Sequence, residues 1–151
     1  MSVPTSTHII ESAVIKAPFS NVWTLIKLPR FAEWWSALDK SEIVKGVSDE
    51  ADVYKFTFKD GTSQEVKLDA HSSLEHYISF SLISSQPALS YSSVLSTIRC
   101  YPVTSGELEG STYVTFSGDF AGDADAGVIE DGRFKRRDAL KDLAAFVAKQ
   151  S

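Results

Sequence analysis

Tyr91, Arg136 and Arg137 are the residues of this chain through which a reaction is most readily written. A phenol delivers or accepts a proton, and a guanidinium stabilises a carboxylate or an enolate as its charge develops. The other titrating candidates are Glu65, His71, His76 and Asp119. In "SQEVKLDAHSS", strict alternation puts Glu65, Asp69 and His71 together on an outward face, as solvated strand residues, while His76 beside Glu75 belongs to a turn. "RFKRR", residues 133–137, falls in a helical segment, and five consecutive helical residues cannot all face one way. Either one arginine approaches whatever the helix covers, or the run is a solvated basic face.

Other chemistries find little support. Cys100 alternates with Ile98 in a strand pattern and has no histidine placed to lower its pKa, so it reads as a small buried hydrophobe. "GDADAG", residues 122–127, spaces aspartates two apart but lacks the remaining ligands of a calcium loop, and reads as the loop and N-cap of a helix. There is no nucleophile elbow, no phosphate-binding glycine loop, no dinucleotide fingerprint and no Cys/His grouping with zinc spacing. Neither a metal nor a cofactor is expected.

The elements that must position these side chains follow from hydrophobic period. "THIIESAVIKAP" is a β-branched strand that stops at Pro18. "FSNVWTLIKL" then sets Phe19, Val22, Trp23 and Ile26 on one helical face, to be ended by Pro29, and "FAEWWSAL" forms a second short helix. Six strands follow between Lys40 and Phe120: "SEIVKGV", "ADVYKFTFKDG", "SQEVKLDAHSS", "EHYISFSLISS", "SSVLSTIRCYPV" and "STYVTFSGDF". Their alternation suits an antiparallel sheet with one covered face, and the Asp-Gly of "KDGT" suits a hairpin turn. From about Ala124 to Lys149, Ile129, Leu140, Leu143 and Val147 mark one long helix.

Composition bounds the partners. The 151 residues, 43% hydrophobic, suit a single domain over residues 1–151, and a formal net charge of −5 disfavours nucleic acid or an anionic membrane surface. No basic leader precedes an apolar run, no stretch reaches the roughly 18 apolar residues of a membrane span, and the single cysteine forms no internal disulfide. A cytoplasmic protein without stable membrane insertion is expected.

Strand, two short helices, six strands and one long helix make an α+β chain whose curved antiparallel sheet of about seven strands wraps the long helix. The sequence resembles the START-like, or SRPBCC, helix-grip superfamily, which includes the birch-pollen allergen, the abscisic acid receptors and the polyketide cyclase/dehydrase-like proteins. The resemblance rests on "IKAPFSNVWTLI", on "FAEWW" with Ser36 in place of a proline, and on "YISFSLISS", "STIRCYPVT" and "STYVTFSGDF". It implies a cavity between sheet and long helix that takes a small hydrophobic molecule.

Alternation and resemblance together make Phe56, Phe58, Ile78, Phe80, Leu82, Val114 and Phe116 the expected inward set, with Ile98 and Ile129. The same side chains would serve equally to fill a solid core. Trp34 falls at the family's tryptophan on the second short helix, near the sheet, with Trp35 at the cavity rim, although core packing alone explains both. "ISFSLISSQPALSYSSV" is similar to the receptor branch, which implies Pro87, Ala88 and Leu89 on a latch loop and Tyr91 and Ser93 at the ligand. Inward Tyr91 and Ser93 conflict in parity with inward Val94 and Ile98, so a bulge or bend near Ser93 is expected. "KDGTS" lacks the receptors' Gly-Leu-Pro-Ala gate, which removes hormone sensing. Three functions remain: a carrier of a lipid, polyketide, terpenoid or phenolic; a cofactor-free cyclase/dehydratase using Tyr91 and Arg136; or a partner regulator docking through "SSQPALS".

Overall fold

β-Branched and aromatic residues pair where the alternation places them. A computed structural model describes residues 6–44 and 52–150; residues 45–47 of "SEIVKGV" and Ala51 of the next expected strand lie outside the described residues. The strands are β1 (His8–Ile15), β2 (Leu38–Val44), β3 (Val53–Phe58), β4 (Ser63–Ser72), β5 (Tyr77–Gln86), β6 (Val94–Pro102) and β7 (Thr112–Phe120). Two short helices, α1 (Phe19–Trp23) and α2 (Phe31–Trp34), separate β1 from β2, and α3 (Ala126–Lys149) follows β7. The sheet runs β1-β7-β6-β5-β4-β3-β2 with every pairing antiparallel. It is a meander from β2 to β7, with β1 laid along the far side of β7. This is the expected curved sheet gripping one long helix.

Register decides what the concave face presents. Ile78, Ile98 and Phe116 pair directly across β5, β6 and β7, forming one apolar row. The neighbouring row reads Phe80, Ser96, Gly118, Ile9, with small residues at its centre. Register shifts after Leu38, between Glu65 and Val66 and between Leu68 and Ala70 bend the sheet, since an unpaired residue adds local twist.

The last of these shifts corrects the expectation for His71. Asp69 becomes the extra residue, so His71 pairs with the inward Ile78 rather than sharing the outer face with Glu65. Its ring stacks on Trp23 at 5.2 Å between centroids, and Nε2 lies 3.2 Å from the Ile26 carbonyl oxygen. His76, at φ 60, sets its ring edge-on to Phe19 at 4.6 Å and to Trp23 at 5.3 Å. The two histidines thus anchor α1.

That helix is shorter than the apolar spacing predicts. After Trp23 the backbone tightens into turns, Leu25 N–H to Val22 O and Ile26 N–H to Trp23 O, both 3.0 Å, so Leu25 and Ile26 are buried together. Pro29 does not terminate α1. It sits in a separate 3₁₀ turn, Leu28–Arg30, at a position where its missing N–H has no partner to lose.

Phe31 is fully buried and touches the rings of Trp34, Phe56 and Phe80 at 5.1, 6.1 and 5.7 Å, tying α2 to β3 and β5. Ser36 donates through N–H and Oγ to Asp142 Oδ2 at 3.0 and 2.6 Å, joining the end of α2 to α3. Asp125 caps α3 by accepting from Val128 N–H at 2.8 Å, as "GDADAG" suggested. Among the described residues no helix is long and apolar enough to cross a membrane. Phe31→Ala is expected to cost about 3–5 kcal/mol through the cavity it leaves, and Asp125→Ala about 1 kcal/mol through the lost cap. Urea titrations should show both as lower midpoints with unchanged slope.

Candidate functional site

A cavity of about 970 Å³ lies between the concave face of the sheet and α3. Its walls are Trp35, Phe56, Phe58, Val66, Phe80, Leu82, Val94, Phe116 and Phe120, and exposed residues of the β3–β4 turn and of α3, such as Asp60 and Lys135, form its rim. Of the side chains expected at a ligand, Phe56, Phe58, Phe80, Leu82, Leu89, Tyr91 and Phe116 line it.

Trp34, Ile78, Ser93, Ile98, Val114 and Ile129 do not line it. Trp34 is buried and donates Nε1–H to the Leu25 carbonyl at 3.0 Å, so its ring is spent on fixing α2. Trp35 takes the wall position instead. At the end of α2 the backbone turns extended, φ −87 and ψ 103, and swings the Trp35 ring to 5.7 Å from Phe58 and 6.1 Å from Phe116. Ile78, Ile98 and Val114 do face inward, but in the solid core shared with Val22, Ile26 and Leu143. Ile129 packs with Ile9 and Phe120 in a separate small cluster. Ser93 is exposed, and its carbonyl accepts from Ala121 N–H at 3.0 Å. The parity conflict dissolves, because β6 begins at Val94 and Tyr91 reaches the cavity from the preceding loop.

Among the five residues of "RFKRR", one turns inward. Arg137 Nε donates to Glu11 at 2.8 Å on the flank of α3, Arg133 pairs with Glu130 at 3.1 Å, Lys135 pairs with Asp131 at 2.7 Å, and Phe134 is exposed. Arg136 is 8% exposed. It falls on the helix stripe of Ile129, Gly132, Ala139, Leu140, Leu143 and Val147, every one of them buried. Its Nη2 donates to Ser96 Oγ at 2.8 Å and its Nη1 to Gly132 O at 3.2 Å, while Nε has no partner among the described residues. The guanidinium lies 5.2 Å from the ring centre of Phe116 and 5.4 Å from that of Phe120, within cation–π range of both.

Two glycines make room for it. A Cβ on Gly118 would stand 2.7 Å from Arg136 Cζ, and one on Gly132 would stand 2.6 Å from Phe120 Cζ and 3.2 Å from Arg136 Nη1. Neither glycine was singled out from sequence. The available signal was Gly118 in an inward slot of an alternating strand, where glycine marks a close approach.

Burial pushes the Arg136 pKa down to about 10, against the opposing pull of Tyr91 and Asp119, so the group is still cationic at neutral pH. Burial likewise raises the Tyr91 hydroxyl; Arg136 draws it back down and Asp131 pushes it further up. Tyr91 leans on Phe120 at 5.5 Å, and its loop is tied down where Ser92 N–H and Oγ both donate to Asp123 Oδ1 at 3.1 Å. The other candidates stand apart from the cavity: Asp119 bonds His8 at 2.6 Å, His71 and His76 hold α1, and Glu65 is absent from the lining. Cys100 is buried with its thiol pushed up to about 12, as a small hydrophobe would be. Among the described residues no cluster of His, Cys, Asp and Glu could hold a metal ion.

A charge held in this slot without a counter-ion destabilises the fold. Arg136→Met is therefore expected to raise stability in the absence of ligand by about 1 kcal/mol or more, read as the urea midpoint at pH 7. Because the folded pKa of about 10 lies below the ordinary 12.5, the unfolded chain binds more protons between those values. The difference between variant and wild type should be constant at lower pH and shrink only above about pH 10.

Comparison with known proteins agrees with this architecture. XoxI from Bacillus cereus superposes with a TM-score of 0.79 at 22% identity, over 97% of this chain and 99% of that one. The di-domain ARO/CYC StfQ from the steffimycin biosynthetic pathway gives 0.73 at 15% identity, over 94% of this chain and 45% of that one. Ara h 8.0201 gives 0.72 at 18% identity, over 94% and 97%. At these identities the likeness is one of fold. No curated protein sequence matches the chain. The family described as "Polyketide cyclase / dehydrase and lipid transport" matches residues 6–149, and with its helix-grip fold the chain belongs to that family within the START-like superfamily.

Proposed function

We propose that the chain, as one START-like domain over residues 1–151, binds or carries a small hydrophobic molecule in the cavity between sheet and α3. Lipids, polyketides, terpenoids and phenolics are the classes that suit it. The observation that carries the proposal is the cavity itself, about 970 Å³, with an aromatic and aliphatic inner wall of residues such as Trp35, Phe56, Phe80 and Phe116 beneath polar and charged residues. Small-molecule sites commonly run from roughly 300 to 1,000 Å³ with few polar groups inside. Membership of a family whose description includes lipid transport supports the reading. A cytoplasmic setting belongs to the proposal and rests on the single, buried cysteine.

An apolar fluorescent probe such as an anilinonaphthalene should bind one molecule per chain and quench tryptophan emission. Trp35→Phe should remove most of that response and Trp34→Phe little of it, because Trp35 alone of the two forms the wall. Leu82→Trp, which fills the cavity, should weaken the probe by about tenfold or more at unchanged fold. Equal binding to the filled variant would contradict the proposal.

One observation favours a second reading, a cofactor-free cyclase/dehydratase: Tyr91 and Arg136 line the same cavity, a proton carrier and a cation for an enolate. On that reading Tyr91→Phe lowers turnover of a labile polyketide-like substrate by about 100-fold or more while probe binding persists. Unchanged turnover in both Tyr91→Phe and Arg136→Met would sink it.

A further inference from the structure

Arg136 is the charge that the cavity-binding reading leaves unexplained. A buried guanidinium offers five N–H donors. Among the described residues one of them goes to Ser96 and one to Gly132, leaving three unspent, that of Nε among them. No carboxylate forms an ion pair with Arg136 among the described residues; the ion pairs of α3 belong to Arg133, Lys135 and Arg137. Of the five acids in the lining, Asp142 accepts from Ser36, Asp125 caps α3, Asp131 pairs with Lys135, and Asp60 and Asp138 are exposed; none forms an ion pair with Arg136.

The surroundings are built around this cation. Gly118 and Ser96 pair across β7 and β6, so the sheet presents small residues under the guanidinium, with Phe116 and Phe120 on either side along β7. Gly132, one turn earlier on α3, supplies the matching recess. A methyl group at either glycine would displace the arginine or Phe120. Neutral ligands would leave this cation unpaired in an apolar setting, where an uncompensated charge is costly. A carboxylate matches the planar fork of a guanidinium through two charge-assisted hydrogen bonds, and a single cation balances a single negative charge.

We propose that the ligand of this cavity is an otherwise apolar molecule ending in one carboxylate, which docks on Arg136 while its apolar body lies against Phe56, Phe58 and Phe80. The inference rests on the cavity-binding reading above and adds the head group to it. Tyr91, on the same cavity, is the neutral donor available to a second carboxylate oxygen. The apolar body is either an alkyl chain or an aromatic system, since both would fit phenylalanine walls.

The test pairs acids with their esters. Binding of dodecanoate, methyl dodecanoate, 2-naphthoate and methyl 2-naphthoate is titrated at pH 7 by tryptophan fluorescence, on wild type, Arg136→Met and Arg136→Lys. Wild type should bind at least one acid about tenfold or more tighter than its ester. Arg136→Met should lose that preference while still binding the ester, and Arg136→Lys should keep part of it. The better acid identifies the body as alkyl or aromatic. Equal affinity for acid and ester in wild type, or an acid preference that survives in Arg136→Met, overturns the head-group inference and leaves the cavity reading standing. If none of the four probes binds wild type, the head-group inference falls, and the anilinonaphthalene titration decides separately on the cavity. Should Arg136→Met not fold, the acid-to-ester ratio in wild type and in Arg136→Lys still decides.

Discussion

The cavity borders the one place where the buried stripe of α3 carries a charge instead of an apolar side chain. From Ala139 to Val147 the stripe is aliphatic and closes against the sheet and the short helices as an ordinary core. Toward the N-terminus it presents Gly132 and Arg136, which cannot fill the same volume with apolar atoms. Beyond them Ile129 closes on Ile9 and Phe120. Between these two packed ends Arg136 itself meets the sheet, at Ser96 and over Gly118. The cavity lies beside that cation, which is among its lining residues.

The residues around the cavity hold its shape. Phe31 and Trp34 lock α2, the Ser36–Asp142 bonds join it to α3, and Trp35 is left to face the cavity. On the opposite side Asp123 holds Ser92 and so keeps Tyr91 in the lining. His71, His76 and the cysteine, residues of the kinds to which reactivity is most often assigned, are spent on anchoring α1 and on filling the core. On the proposed binding reading, stability and binding are in tension at Arg136, whose lone charge is a cost to the fold without ligand.

The two tryptophans at positions 34 and 35 show how far adjacency in sequence differs from equivalence in space. Both look like aromatic bulk for a core. One turn of backbone at the end of α2 separates their duties, with Trp34 hydrogen-bonded beneath the helix and Trp35 in the cavity wall. His71 gives the same lesson in a strand: one extra residue, Asp69, reverses its face. A period of two carries across a strand only as long as the pairing is regular.

Periodicity determined the element order, the antiparallel sheet and the long closing helix, because these follow from burying alternating or helical stripes of apolar residues, and together with the family resemblance it assigned the inward faces of β3, β5 and β7. Residue chemistry and the same resemblance pointed to Tyr91 and an arginine of "RFKRR". The stripe from Ile129 to Val147 even passes through position 136, but a charged residue there reads as an interruption until something is seen to receive it. Which inward residues meet open space and which meet solid core was decided only in three dimensions: Phe80 and Phe116 reach the cavity, whereas Ile78, Ile98 and Val114 do not. The reason is that burial is a property of one side chain and its strand, while a void depends on the register of neighbouring strands and the seat of α3 above them. Gly118, Ser96 and Gly132 lie far apart along the chain and become a recess for one guanidinium only when β6, β7 and α3 are brought together.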